Sequence, residues 1–473
     1  ILMRGAVEPL AAERLSHPAD RNSPLIVGGG VATFINPEPL AAFIDLFFVG
    51  EADEKLDGLL QFLGEYGTGA TREEMLLAAA RQLDGIYIPH LYTEQRDASG
   101  LFRGYRPLAA GIPDRIKKIS LRDSSRLGYS RILSSEAEFS DIFLAELGRG
   151  CSRGCRFCAA GFVYRPPRLW DADDIIEALG QRPLGNPRIG LLGMEMIRST
   201  DLKKIADYLF RQGCELSFSS LRADALSGPL QKLLARSGVK TSAIAPDGGS
   251  QRLRRVINKG ITEDDILEST EALVKAGVKN LKLYFMIGLP TETYDDLEEL
   301  VGLTFRIKEK ILSVGRARGR LSNMTLSINS FVPKAWTPFQ FHPFEEVTLL
   351  KKKIKFMRKS FSGAANIKMS ADQPANAFFQ AILARGDRRV GPALLHTVRT
   401  GRNWLQAFRK SGVDPNWYAT RARGEEEPFP WEIIDHGIKR QYLWAEYQRA
   451  LAERNTPKCD TQKCRKCGVC GAE

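Results

Sequence analysis

The chain has 473 residues, enough for two or three domains with sizeable cores, and 43% hydrophobic with 26% charged residues is ordinary globular composition that excludes disorder as the default. No apolar run approaches the about 18 residues of a membrane span and no basic-then-apolar leader is present, so a cytoplasmic protein without membrane contact is expected. The net charge of +12 favours association with nucleic acid or other anions, and the eight cysteines fall into a triplet, a quartet and the lone Cys214, which points to metal rather than to disulfides.

The chain opens on Ile1 inside what reads as the late part of an α/β unit, as a fragment or processed product would. His17 reads as a surface residue. Pro24 to Val27 is a short apolar run ending in Gly28, Gly29 and Gly30. Asn36, Pro37 and Glu38 then read as N-cap, N1 proline and first-turn acid of a helix, and Asp45 to Gly50 as the next strand. Strand, Gly-rich turn, helix and strand make a parallel doubly wound fragment, so the triple glycine faces a ligand crevice at the strand carboxyl ends. Thr71 with Glu74 makes a capping box ahead of a helix ending near Leu83. Tyr87 to Thr93 and Ile116 to Ser120 are short extended pieces across a Gly/Pro-rich connector. The expected units are 1–105, Rossmann-like, and a connector at 106–135.

Glu146 to Trp170 is the stretch around which the rest is organised. Cys151, Cys155 and Cys158, separated by three and then two residues, lie on a Gly-rich loop after the apolar strand Ile142 to Leu147. Three thiolates converging there select an iron–sulfur cluster or zinc. A fourth nearby cysteine, which a closed zinc site would want, is missing, so one metal position is open. With Phe157 just before the last cysteine, the spacing resembles the radical S-adenosylmethionine (SAM) signature. The resemblance implies a [4Fe-4S] cluster on the three sulfurs, SAM on the open iron, and reductive cleavage to a 5′-deoxyadenosyl radical. It also implies a reductant such as flavodoxin or ferredoxin.

Strands are expected near 142–147, 188–194, 215–219, 239–245, 279–288 and 323–331, with helices after Asp171, Thr200, Asp224, Thr262 and Tyr294. Six alternating strands argue for a partial (β/α)6 barrel over 136–365 with chemistry at the strand carboxyl ends. Gly193-Met194-Glu195 resembles the family's turn for the SAM amino group. Ser219-Ser220-Leu221-Arg222-Ala223-Asp224 resembles its Ser-Leu-Arg-x-Asp stretch, which implies Ser219 or Ser220 at the ribose and Arg222 at the carboxylate. Ala245-Pro246-Asp247-Gly248-Gly249-Ser250 resembles Ala-Pro-Glu-x-Gly-Ser, and Gly288-Leu289-Pro290-Thr291-Glu292-Thr293 the turn lining the adenine pocket.

Two further likenesses narrow the match. Phe331-Val332-Pro333-Lys334-Ala335-Trp336-Thr337-Pro338-Phe339-Gln340 resembles a segment of the cobalamin-type branch. The triple glycine, Asn36-Pro37-Glu38-Pro39 and Asp45-x4-Gly50-Glu51 resemble the second half of the cobalamin-binding domains that precede many radical SAM domains, which implies cobalamin as a ligand; an ordinary Rossmann-like remnant that supports the barrel is the other reading. The Asp-x-His-x-x-Gly stretch that supplies cobalt's lower ligand is not in the chain.

Six Lys or Arg between Lys351 and Lys359 form a dense basic stretch, read as a solvated helix face with a phosphate-backbone patch as the sharper alternative. Residues 366–455 read as helical, with His436 structural rather than an acid–base group. In the tail, 456–473, Cys459, Cys464, Cys467 and Cys470 lie within twelve residues with Gly468 and Gly471 to bend the loop. A second iron–sulfur cluster is expected there, with structural zinc as the other fit. The whole is an α/β fold: a radical SAM partial barrel between a truncated cobalamin-binding-like domain and a helical C-terminal region. The expected function is reductive SAM cleavage that starts methylation or another radical modification of a substrate, with the charge leaning to RNA. The alternative is a non-catalytic, zinc-stabilised RNA-binding protein.

Overall fold

The computed structural model describes residues 25–53, 55–66, 70–121, 127–137, 139–193, 199–218, 222–226, 228–319, 321–400 and 403–470. His17 lies outside them. Near the start, β1 (Val27–Gly28) pairs in parallel with β2 (Leu46–Phe48), and β3 (Ile86–Tyr87) runs antiparallel to β2. All three residues of β2 are buried, as a central strand covered on both faces requires. An α-helix, α1 (Val31–Ile35), follows the triple glycine directly. The helix expected after Asn36 is instead a 3-10 turn at Glu38–Leu40. Asn36 accepts the Glu38 N–H at 3.2 Å, as a cap would, but its amide also donates 2.9 Å to the Gly386 carbonyl. The residue that looked like a helix start is a tie to the C-terminal half.

The six expected strands are present: β4 (Phe143–Glu146), β5 (Arg188–Leu192), β6 (Glu215–Phe218), β7 (Thr241–Asp247), β8 (Asn280–Ile287) and β9 (Asn323–Ser330). A seventh, β10 (Ile367–Ala371), pairs in parallel with β9 and was not foreseen. They form two parallel sheets, ordered β6-β5-β4 and β7-β8-β9-β10. Helices between the strands start on polar caps. Thr262 and Asp265 make a reciprocal capping box, as do Thr293 and Asp296, and Thr71 and Glu74 do the same in the N-terminal unit. Apolar residues along β8 and β9 alternate inward and pack on these helices, forming one core.

A second core fuses the ends of the chain. Phe34, Phe47 and Tyr87 share it with Phe331, Trp336 and Phe339 from the segment leaving β9, and with Phe429 and Trp431. The Ile434–Asp435 strand pairs in parallel with Ile116–Lys117. Along the basic helix Val347–Ser360, Lys353 turns inward to Glu292 and Glu345, 2.7 Å from each, so it is not part of the charged face. No helix of the described residues is long and apolar enough to cross a membrane.

His436 sits in the second core, its Nε2 2.7 Å from the Phe34 carbonyl and its ring edge-on to Trp336 at 4.7 Å. Burial pushes its pKa down to about 3, with Lys118 adding to the shift. The folded chain therefore carries this imidazole neutral while the unfolded chain protonates it near 6.5. Stability present above that value is lost as pH falls from 6.5 toward 3, at up to about 1.4 kcal/mol per pH unit. His436→Gln keeps a donor for Phe34 and is expected to flatten this limb in denaturation curves taken across pH.

Candidate active site at the cysteine loop

The triplet loop is closed at its neck by a two-residue ladder, Gly148 opposite Leu169 and Arg149 opposite Arg168. Gly150 has φ +84°, and a Cβ there would lie 2.7 Å from the Tyr164 carbonyl, so the neck admits only glycine. Inside the loop, the Cys158 N–H donates to the Cys155 carbonyl at 3.1 Å, and a short helix follows at Ala160–Val163. Cys155 is buried, and Cys151 and Cys158 are half-buried. Phe157 is partly buried on the second core.

Arg156, between the cysteines, is fully buried and staples the loop from below. Its guanidinium donates to the carbonyls of Val256 (2.9 Å) and Arg454 (2.6 Å) and pairs with Glu446 at 3.2 Å. On the other side Arg222 brings Nη1 to 3.9 Å from the Cys155 sulfur. Asp224 (3.0 Å) and the Lys259 carbonyl (2.7 Å) fix its fork. Lys259 is buried against the Asp247 carboxylate. Burial works against its ammonium, but Asp247 and then Cys155 outweigh that and raise its pKa. Burial pushes the Cys155 thiol up, while Lys259 and Arg222 pull toward thiolate.

Of the residues expected at SAM, Arg222 and Asp247 are thus brought beside Cys155, each with a protein partner. Gly288, with φ +74°, donates its N–H to Glu292 at 2.9 Å. Glu195, Ser219 and Ser220 lie outside the described residues. Lys259 and Asn258 escaped the sequence reading. Both close a short helix whose composition carries no metal signal.

The tail cysteines dock on the triplet loop. The Cys459 N–H donates to the Ser152 carbonyl at 2.8 Å, and the Thr456 N–H to Asn258 Oδ1 at 2.9 Å. The Asn258 amide in turn holds the Arg153 and Gly154 carbonyls at 3.3 and 3.2 Å. Arg165, sandwiched between the Phe162 and Tyr442 rings, donates to the Tyr442 hydroxyl at 3.2 Å, and Tyr442 and then Cys467 hold its guanidinium charged against burial. Burial pushes the Cys459 thiol up to about 11, with Arg165 opposing and Cys464, Cys467 and Cys470 adding. A cavity of about 540 Å³ lies between the two loops. Another, of about 470 Å³, opens where Gly30 and Phe34 face Arg149, Tyr164 and Gly193. Its wall is charged, with Arg149 bonded to Asp53 (2.8 Å), Glu146 (2.9 Å) and Glu51 (3.3 Å). The triple-glycine turn does face a crevice. Among the described residues no three metal-ligating side chains are drawn to coordination distance. The fit to iron–sulfur clusters rests on the donor chemistry: thiols outside any disulfide, three on one loop and four on the other, each set beside an arginine.

The family model described as "Radical SAM superfamily" matches residues 145–304, and "Radical SAM proteins, N-terminal" matches residues 1–89. The chain belongs to the radical SAM superfamily. It is accordingly an enzyme whose family binds a [4Fe-4S] cluster and SAM. Relatives of the chain include the uncharacterized protein MJ0966 of Methanocaldococcus jannaschii, 31% identical over 382 residues, 79% of this chain and 74% of that one. The uncharacterized methyltransferase PH0819 of Pyrococcus horikoshii is 23% identical over 160 residues, 32% of this chain and 34% of its own. Among solved structures, the radical SAM methyltransferase TsrM of Kitasatospora setae aligns at 13% identity and TM-score 0.47, over 71% of this chain and 60% of that one. The cobalamin-dependent radical SAM enzyme OxsB aligns at 18% and 0.40, over 62% and 42%. The chain thus spans less than two thirds of either structure.

Proposed function

We propose that the chain holds a [4Fe-4S] cluster on Cys151, Cys155 and Cys158 and cleaves SAM reductively to start a radical modification, with methylation the leading case. The observation that carries this reading is the buried Cys155 sulfur with Arg222 Nη1 3.9 Å away and Lys259 beside it, two carboxylate-fixed cations set against a three-thiolate loop. When bound, SAM at a reduced cluster supplies an oxidant able to take hydrogen from unactivated C–H bonds. The chain's own residues bind and orient. Asp224 and the Lys259 carbonyl hold the Arg222 fork so that it presents Nη1 on the cysteine side, where a carboxylate suits it. Phe157, partly buried on the second core, adds an apolar ring to the loop. The crevice between Gly30 and Arg149 is the substrate side, and the resemblance to cobalamin-binding domains extends the proposal to a corrin there. Exposed Lys351, Lys352, Lys355 and Arg358 support an anionic substrate, for which we take RNA.

The second centre in this reading is an iron–sulfur cluster on Cys459, Cys464, Cys467 and Cys470. Iron, sulfide, zinc and cobalt are measured on anaerobically purified protein, together with 5′-deoxyadenosine formed under dithionite. About eight irons per chain are expected, falling to about four in Cys467→Ala, the inventory of two clusters and then one. Unchanged iron with loss of one zinc would make the tail a zinc site. Cobalt tests the corrin, and a SAM-dependent mass increase of RNA tests the substrate.

A further inference from the structure

We propose that the cysteine tail is the docking site of an acidic one-electron carrier protein, and that the tail is the path by which an electron reaches the triplet. The inference rests on the cluster reading above and names its partner. Three observations carry it. First, the two loops touch: the bonds from Cys459 through its hydrogen bond to Ser152 and on to Cys151 put these two Cα atoms within about 11 Å. Second, the face that the tail turns outward is basic. Lys458, Lys463, Arg465 and Lys466 are all exposed, and among the described residues none has a carboxylate at ion-pair distance. The nearby acids are engaged or few: Glu453 is held by Arg252 and Arg255, and Asp460 accepts the Gln462 N–H of its own turn.

Third, this face carries charge without stacking groups. No aromatic residue occurs from Thr456 to Cys470, and the neighbouring Tyr442 ring is covered by Arg165. Single-stranded nucleic acid is held by a basic groove together with aromatic platforms, whereas a basic rim without them is enough to steer an acidic protein to its seat. The cysteines themselves are half-buried or buried behind the lysines, so a partner seated on the rim approaches them while water is displaced. One electron moves per docking event. With a flavodoxin the anionic flavin hydroquinone is oxidised to the neutral semiquinone, no proton moves, and the triplet centre is the acceptor, reduced by one electron.

The test uses the anaerobic holoenzyme and its Lys463→Glu/Lys466→Glu variant with an acidic flavodoxin. Wild-type binding of oxidised flavodoxin, followed by titration, is expected to weaken steeply with salt. The variant is expected to bind roughly tenfold more weakly with a flattened salt slope, and its flavodoxin-driven 5′-deoxyadenosine rate is expected to drop in parallel. Iron content and the dithionite-driven rate should be unchanged. Unaltered flavodoxin affinity in the variant overturns the proposal, as does loss of RNA affinity alone, which would assign the face to nucleic acid. Zinc in place of iron in the tail overturns the electron path. Absence of dithionite-driven 5′-deoxyadenosine in the wild type is a separate result that removes the underlying function.

Discussion

Cys155→Ala is expected to reduce 5′-deoxyadenosine formation to the level of enzyme-free buffer and to remove about four irons per chain, one cluster's worth. No other thiol can take its place. Cys214, the one cysteine outside the two groups, sits just before β6, at the strand end opposite the site, and is buried in the first core. Alanine fills nearly the same buried space, so the fold should persist, and a near-native circular dichroism spectrum with no turnover is the expected pair of results. Persistent 5′-deoxyadenosine under dithionite would sink the assignment of the triplet.

Arg156→Met is expected to cost about 3 kcal/mol, because it takes from the buried Glu446 carboxylate its closer cation and leaves it only Arg449, at 3.7 Å. The loss should also be local. Arg156 grips the Arg454 carbonyl and shares the Thr456 hydroxyl with Glu446, just ahead of the tail. Thermal melting should shift downward, and protease cleavage should increase between residues 452 and 458. The tail should lose its metal at lower chelator concentration than the triplet. Adding Glu446→Leu removes the stranded charge and should recover part of the stability, a coupling that a double-mutant cycle reads directly. Full stability in the single variant would mean that Arg449 and the Thr456 hydroxyl suffice to hold the Glu446 carboxylate.

Much of this was legible in the chain. The six strands follow from alternating apolar runs, and the triplet from cysteine spacing. The order of polar turns on successive strand ends pointed to one site. What stayed hidden depended on distant partners. The strand Ile367–Ala371 buries no residue fully, so its pattern carries too little apolar contrast to be seen. Asn36 looked like a cap because Asn-Pro-Glu is cap chemistry, yet its amide reaches the Gly386 carbonyl. The six basic residues between Lys351 and Lys359 hid Lys353, whose inward turn depends on Glu292 and Glu345. Nor does anything in Asn258 or Ser152 announce that a cysteine tail will bond there.

The joining of the two cysteine loops also sets an order of events during synthesis. Arg156 and the carbonyl it holds at Arg454 are 298 residues apart. At about 5–20 residues per second, a ribosome reaches Thr456 roughly fifteen seconds to a minute after the triplet has been made. Through that interval the nascent triplet lacks the wall that Cys459 and its neighbours later supply. Its sulfurs are then open to delivery machinery, and also to oxygen, until translation has passed the tail.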